Sequence, residues 1–282
     1  MNTAPERKLL EVRGLTKRFG PGCTICETQE AHRGLSSRCS RCGTIWACRS
    51  IDLDLYPGEI LGVVGESGSG KSTMVRCIYF DEEVTSGEMF ISGYRDGQTN
   101  VFEESSQQKR YIRNHLMGMV YQNPMLGLRM NFSSSGNIAE KLFAAGQFHV
   151  GRIRDRAAEL LSRVEIPVPR MDEPPKRFSG GMQQRVQISK ALANHPPILL
   201  LDEVTTGLDL SVQAKVLDLV RSIQRELQVA MIVVSHDLGV IRMLADRTVV
   251  MLNGMIIEQG LTDQILEDPQ DRYTQLLVHS LL

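Results

Sequence analysis

A glycine-rich turn, GESGSGKS, occupies residues 65–72 and fits the P-loop pattern. The apolar run before it, from Ile60 to Val64, predicts a buried strand. The glycines of the turn let the backbone curl so that successive N–H groups point inward at phosphate oxygens, and the helix after the turn adds a partial positive charge. We expect Lys71 to reach the β- and γ-phosphates and the Ser72 hydroxyl to coordinate Mg²⁺. The predicted nucleotide-binding residues of this turn and of the position after it are Gly65, Ser67, Gly68, Gly70, Lys71, Ser72 and Thr73. The pattern predicts a nucleoside triphosphate site.

Two further strands end in residues that fit such a site. The apolar run from Ile198 to Leu201 is typical of a buried parallel strand, and Asp202 and Glu203 follow at its carboxyl end, where open α/β sheets bind ligands. We expect Asp202 to hold Mg²⁺ and Glu203 to polarise an attacking water; the alternative is an ordinary acidic pair. A third strand, in AMIVVSHDLGVI, is expected to end at His236, which is either structural or placed to reach the γ-phosphate.

Four of the six cysteines form two Cys-x-x-Cys pairs separated by twelve residues, Cys23 with Cys26 and Cys39 with Cys42. Four thiolates can enclose one tetrahedral Zn²⁺, and the polar segment between the pairs has little else to fold around. We therefore predict a structural zinc site. A redox-active pair, an iron–sulfur cluster and a loop without metal are the alternatives. A closed four-thiolate site leaves no open position for catalysis.

The remaining candidate ligands have simpler interpretations. Cys48, expected at the start of the next strand, and Cys77, in the helix after the P-loop, are interpreted as small buried hydrophobic residues. His32 is a further donor candidate, but a solvated loop histidine is the favoured interpretation.

Composition limits the function classes. The 282 residues are 42% hydrophobic and 23% charged with a net charge of −1, so no global field favours nucleic acid or an anionic membrane. The N-terminus lacks a signal-peptide core, and the apolar runs are far shorter than the roughly 20 residues that cross a bilayer. We expect a cytoplasmic protein, in which clustered cysteines bind metal more often than they form disulfides. Any transport role would need a separate membrane subunit.

The motifs together resemble the ATP-binding cassette (ABC) ATPases over nearly the whole chain. The residues that carry the resemblance are the P-loop at 65–72, Gln122, the signature Ser179-Gly180-Gly181, Asp202-Glu203, Asp209 and His236. Met182 and Val204 stand where the family usually has glutamine and proline. The resemblance implies an α/β P-loop fold with a RecA-like mixed-sheet core. It makes residues 1–282 one ABC domain, with a helical subdomain at 105–180 and a zinc-ribbon insertion at 21–48.

Resemblance also implies roles and partners. ABC ATPases work as dimers, with ATP held between the P-loop of one subunit and the signature loop of the other. Phe19 matches the aromatic residue that stacks on adenine, with a core phenylalanine as the alternative. Gln122 joins Ser72 and Asp202 around Mg²⁺ and joins Glu203 and His236 in the catalytic set. The partner in the dimer is a second copy or a sister ATPase.

Within the family, two subgroups compete. The peptide and nickel importer ATPases share the segments around the signature and His236. The segment NPMLGLRMNFSSSGNIAEKL, the segment VEIPVPRMDEPPKRFSGG and the short end after DRYTQLL instead resemble subunit K of carbon–phosphorus lyase, which acts in phosphonate breakdown. That resemblance implies an ATPase that docks on and remodels a soluble lyase core without cleaving the carbon–phosphorus bond. The zinc ribbon would then be a rigid knob beside the adenine pocket, available to dock a partner.

Overall fold

The strand that precedes the glycine-rich turn is buried along its whole length. β3 spans Ile60–Val64, as the apolar run predicts, and all five residues are buried. The computed structural model describes residues 7–27 and 36–279, so His32 lies outside the described residues. The chain forms two units: Met1–Ser105 with Ile232–Leu282, and Ser106–Met231.

The first unit contains a three-stranded antiparallel sheet with the order β2-β1-β4. Its strands are β1 (Leu10–Phe19), β2 (Ile45–Leu55) and β4 (Ser86–Ile91). The β1–β2 register runs from Leu10 opposite Leu55 to Phe19 opposite Ile45. The cysteine segment therefore lies in the connection between two paired strands, whose ends are held together by the ladder.

The same unit holds the sheet segment that carries the P-loop. β3 pairs in parallel with β8 (Arg247–Leu252), and β8 pairs antiparallel with β9 (Met255–Leu261), which makes the sheet mixed. The helices of this unit are α1 (Lys71–Ile78), α8 (Leu238–Leu244), α9 (Thr262–Glu267) and α10 (Arg272–His279). Short 3₁₀ turns at Arg95–Gly97 and Val101–Glu103 follow β4.

The second unit is mainly helical. Its helices are α2 (Ser106–His115), α3 (Pro124–Gly127), α4 (Ser134–Ala144), α5 (Val150–Arg163), α6 (Gly180–Ala191) and α7 (Leu210–Leu227), with 3₁₀ turns at Val168–Arg170 and Pro175–Arg177. β5 (Met117–Val120) and β6 (Ile198–Asp202) pair in parallel. β7 (Ala230–Val234) begins at the end of this unit and continues into the first.

Local chemistry explains where these helices begin. Ser133, Ser179 and Asp209 each cap a helix by accepting a backbone N–H with the side chain, at α4, α6 and α7 respectively. In α5 the buried residues Ile153, Ala157, Leu160 and Leu161 recur at helical spacing and form one apolar face. None of the helices in the described ranges is long and apolar enough to cross a membrane.

Two predicted boundaries differ from the structure. β2 begins at Ile45, so Cys48 lies inside the strand, where it is fully buried. β7 ends at Val234, two residues before His236. The strand stops there because the Asp237 carboxylate accepts the N–H of Gly239 at 2.8 Å and starts α8. The α/β class with its mixed sheet and helices is as predicted.

Candidate nucleotide site and cysteine cluster

Two glycines of the P-loop are required by backbone contacts within the first unit. Gly70 has φ +105°, and a Cβ there would collide with the carbonyl oxygen of Ala47 in β2. A Cβ at Gly65, whose φ is +149°, would collide with the carbonyl oxygen of Met251. The loop is thus packed against its neighbours so closely that only glycine fits at these two positions.

Lys71 is anchored by the loop that it follows. The side chain is buried, and its Nζ donates hydrogen bonds to the carbonyl oxygens of Gly65 and Glu66, both at 2.8 Å. Ser72 and Thr73 are half-buried in the first turn of α1. An ammonium group fixed in this way, at a helix N-terminus, suits a phosphate chain.

Phe19 and His236 occupy exposed positions in the same unit. Phe19 ends β1 with 43% of its surface exposed, and the Lys17 Nζ lies 4.7 Å from its ring centroid. It is therefore an accessible aromatic face rather than a core residue. His236 follows Ser235, whose N–H donates to the Val63 carbonyl at 3.1 Å. This bond ties the start of the His236 segment to β3, close to the start of the P-loop.

The second unit brings Gln122 and Glu203 together. The Gln122 Nε2 donates to the Glu203 Oε2 at 2.9 Å, and the Thr206 hydroxyl donates to the same oxygen at 3.2 Å. Glu203 has φ +47°, a left-handed conformation that glutamate adopts at a cost in strain. Asp202, at the end of β6, is fully buried. The Glu203 carboxylate is therefore partly accessible to solvent, whereas Asp202 is buried.

The signature residues lie beside Asp209 in this unit. The Ser179 side chain accepts the N–H of Met182 at 3.4 Å, so Gly180 and Gly181 form the first turn of α6. Gly181 faces Val212 of α7, where a Cβ would collide with the valine side chain. Asp209 caps α7 by accepting the Val212 N–H at 3.0 Å.

The hydrogen bond from Ser211 and that cap lower the pKa of Asp209. At the predicted signature region, Asp209 therefore caps α7 as a carboxylate beside the glycine-rich start of α6. The N-termini of α6 and α7 therefore lie next to each other.

Sequence reasoning missed one contact to the P-loop. The Tyr273 hydroxyl, on α10, accepts the N–H of Glu66 at 2.9 Å, across 207 positions of sequence. No sequence motif identifies Tyr273, because the contact depends on how α10 packs rather than on local sequence.

The four predicted cysteine ligands converge. The Sγ atoms of Cys23 and Cys26 are 3.7 Å apart, those of Cys23 and Cys39 are 3.9 Å apart, and those of Cys26 and Cys42 are 3.7 Å apart. A tetrahedron with Zn–S bonds of about 2.3 Å has sulfur–sulfur edges of about 3.8 Å. All four sulfurs lie within 4.8 Å of one another and are free thiols, so the cluster has the dimensions of a four-thiolate metal site.

The surroundings of the cluster act differently on its thiols, since burial raises the pKa of Cys26. Hydrogen bonds with the side chain and backbone of Thr44 lower the pKa of Cys42 to about 6. Burial lowers the pKa of Arg49, an effect that negative charge on Cys26 and Cys39 opposes, and the Arg49 guanidinium donates to the Ser36 carbonyl at 3.0 Å. These groups offset negative charge on the sulfurs.

A P-loop on a mixed α/β sheet, with a capped glycine signature on a helical unit, defines the class of P-loop ATPases. The ABC transporter family profile matches residues 48–206, more than half of the chain. The chain belongs to the ATP-binding cassette family and is an ATP-hydrolysing ABC protein.

Relatives and solved structures agree with this membership. The phosphonates utilization ATP-binding protein PhnK of Escherichia coli strain K12 is 47% identical over 232 residues, covering 82% of this chain and 90% of that protein. The oligopeptide transport ATP-binding protein OppD of Bacillus subtilis strain 168 is 37% identical over 250 residues, covering 85% of this chain and 67% of that protein. The cassette MJ0796, in a dimeric post-hydrolysis state bound to ADP and Pi, superposes with a TM-score of 0.74 at 27% identity, covering 90% and 98% of the two chains.

Proposed function

We propose that this chain is the ATP-hydrolysing subunit that docks on and remodels a carbon–phosphorus lyase core in phosphonate breakdown, in the cytoplasm. The observation that carries the proposal is the 47% identity to the phosphonate protein across 82% of the chain, against 37% to the peptide-transport protein. The ATPase supplies a conformational cycle, and the lyase core carries out the bond cleavage.

The nucleotide chemistry is assigned to single side chains. We assign Lys71 to the β- and γ-phosphates and Phe19 to the adenine ring. Ser72, Gln122 and Asp202 are assigned to Mg²⁺, which neutralises phosphate charge when bound. The donor set is apt, because hydroxyl, amide and carboxylate oxygens suit a hard cation.

Glu203 is assigned to the attacking water. Its hydrogen bond from Gln122 supports this role, since it orients the carboxylate and connects it to a proposed magnesium ligand. His236 is assigned to the γ-phosphate side.

A dimer completes the proposed site. Ser179, Gly180 and Gly181 open α6, so their N–H groups and the helix dipole suit the γ-phosphate of a partner's ATP, with Asp209 beside them. The partner is a second copy of this chain or a sister ABC ATPase. The dimeric state of the MJ0796 cassette supports this arrangement.

The cysteine cluster is proposed as a structural zinc site. The sulfur separations match the edges of a zinc tetrahedron, and four thiolates fill the coordination shell. The metal would fix the connection between β1 and β2 as a rigid knob that a partner can dock on.

A peptide-type importer subunit is the second candidate. The 37% identity to the oligopeptide transport protein over 85% of the chain favours it. The two candidates differ in partner: a soluble enzyme core for the first and a membrane permease for the second.

The deciding experiment is a native pull-down of the tagged chain without detergent, with bound proteins identified by mass spectrometry. Stoichiometric recovery of soluble lyase-core subunits is expected. Recovery of polytopic membrane proteins, only after detergent solubilisation, would overturn the phosphonate assignment in favour of the importer.

Growth gives the functional control. A strain lacking this chain should fail on an alkylphosphonate as sole phosphorus source and grow on phosphate. The wild-type chain should restore growth and Glu203→Gln should not. Restoration by Glu203→Gln would show that turnover is unnecessary and would contradict the remodelling role.

A further inference from the structure

Tyr273 and Lys71 engage the two ends of one peptide group in the P-loop. The Tyr273 Oη accepts the N–H of Glu66 at 2.9 Å, and the carbonyl of the same peptide, that of Gly65, accepts from Lys71 Nζ at 2.8 Å. Two hydrogen bonds through one rigid peptide plane therefore connect α10 to the lysine ammonium.

The position of Tyr273 is itself fixed. The Asp271 carboxylate accepts the N–H of Tyr273 at 2.7 Å at the start of α10. The Glu258 carboxylate, on β9, accepts the N–H groups of Gln270 and Asp271 at 2.7 and 3.0 Å. The start of α10, which carries Tyr273, is thus hydrogen-bonded to β9, a strand of the sheet that carries the P-loop.

The hydroxyl acts on the carbonyl through the peptide. An N–H that donates a hydrogen bond polarises its own amide, which makes the carbonyl of that amide a better acceptor. Burial raises the pKa of Tyr273, so the hydroxyl stays neutral around pH 7. The bond also fixes the plane of the Gly65–Glu66 peptide, whose glycine could otherwise rotate.

We propose that Tyr273 is a positioning residue of the nucleotide site, which orients the Gly65–Glu66 peptide and through it the Lys71 ammonium. This inference rests on the proposed assignment of Lys71 to the ATP phosphates. Tyr273 does not touch the nucleotide; it prepares the loop before the nucleotide binds.

The first test is Tyr273→Phe, which removes the acceptor oxygen and keeps the ring. Because one hydrogen bond is lost in both the ground and transition states, KM for ATP should rise about threefold to tenfold while kcat changes by less than about twofold. Tyr111→Phe, which removes a hydroxyl from the half-exposed Tyr111 of α2, is the matched control and should leave both constants unchanged. An unchanged KM in Tyr273→Phe overturns the proposal.

A double-mutant cycle separates positioning from general support of the fold. ATP affinity is measured by calorimetry for Tyr273→Phe, Lys71→Ala and the double variant. If Tyr273 acts through Lys71, its substitution should change affinity by less than about 1.5-fold once the lysine ammonium is gone. Equal effects with and without Lys71 would show that Tyr273 only supports the fold and would overturn the proposal.

The same cycle distinguishes two kinds of failure. If Lys71→Ala alone leaves ATP affinity unchanged, the nucleotide-site assignment is wrong and the Tyr273 inference falls with it. If Lys71→Ala weakens binding and Tyr273→Phe does not, the site stands and only the positioning role is lost.

Discussion

The glycine-rich turn at 65–72 and the cysteine turns at 23–26 and 39–42 both suit a charged ligand, but they are organised differently. The P-loop follows a buried strand, starts a helix and is braced by backbone bonds, such as Gly254 N–H to the Ser69 carbonyl at 2.9 Å. The cysteine turns also contain backbone bonds, such as Gly43 N–H to the Cys39 carbonyl at 3.0 Å, but these bonds do not link one cysteine pair to the other. Their convergence is defined by four sulfurs.

The two regions therefore differ in whether the proposed ligand-binding side chains also maintain the local structure. In the P-loop much of the bracing comes from the backbone, so substitution of a proposed ligand-binding side chain such as Lys71 should change ligand binding or turnover and leave the fold intact. The two cysteine turns meet through their four sulfurs, so substitution of these cysteines should loosen local structure and leave the ATP chemistry intact. The predictions below test each half of this statement.

The largest expected effect comes from Glu203→Gln. Glutamine keeps the shape of the side chain but cannot accept a proton from water, so turnover should fall by about 100-fold or more while ATP affinity changes little. Steady-state hydrolysis and nucleotide calorimetry measure the two quantities. The variant should also accumulate the ATP-bound dimer, which size-exclusion chromatography with ATP would detect.

A matched control makes that result specific. Glu267→Gln changes an exposed glutamate of α9 in the same way and should hydrolyse ATP at the wild-type rate. Wild-type turnover in Glu203→Gln would mean that another group polarises the water, and the role assigned to Glu203 would be wrong.

The second prediction concerns the cysteine turns. The double substitution Cys39→Ser with Cys42→Ser removes two of four proposed ligands. Elemental analysis should therefore show that the zinc content falls from about one ion per chain to none. Hydrogen exchange should accelerate in the cysteine turns, because the metal would no longer join the two pairs. KM for ATP should change by less than about twofold, since β2 stays paired with β1 and keeps Ala47 against Gly70.

The control for the metal is Cys77→Ala, a buried cysteine of α1 that lies outside the cluster. It should retain the zinc. Zinc retained in the Cys39 and Cys42 double variant would exclude this ligand set, and loss of ATP binding in that variant would show that the two regions are not independent.

The same contrast explains what the sequence could predict. The bounds of β3 and the convergence of the four cysteines are encoded by neighbouring residues or by paired spacings, and the structure has them as predicted. The predicted start of β2 at Cys48 is wrong, because pairing with β1 extends the strand back to Ile45. The Tyr273 contact depends on the packing of α10, which no local pattern specifies.

The smallest expected effect is at Phe19, where β1 ends and the cysteine segment begins. If its exposed ring stacks on adenine, Phe19→Ala should weaken ATP binding by about fivefold, the lower range for loss of a base–aromatic stack, while Phe19→Tyr should bind as the wild type does. Inorganic tripolyphosphate offers the decisive comparison, because it has the phosphates without the base. Its affinity should be unchanged by Phe19→Ala and reduced by Lys71→Ala. Equal weakening of ATP and tripolyphosphate in Phe19→Ala would mean that the ring supports the loop structure, and Phe19 would then belong to the framework rather than to the ligand contacts.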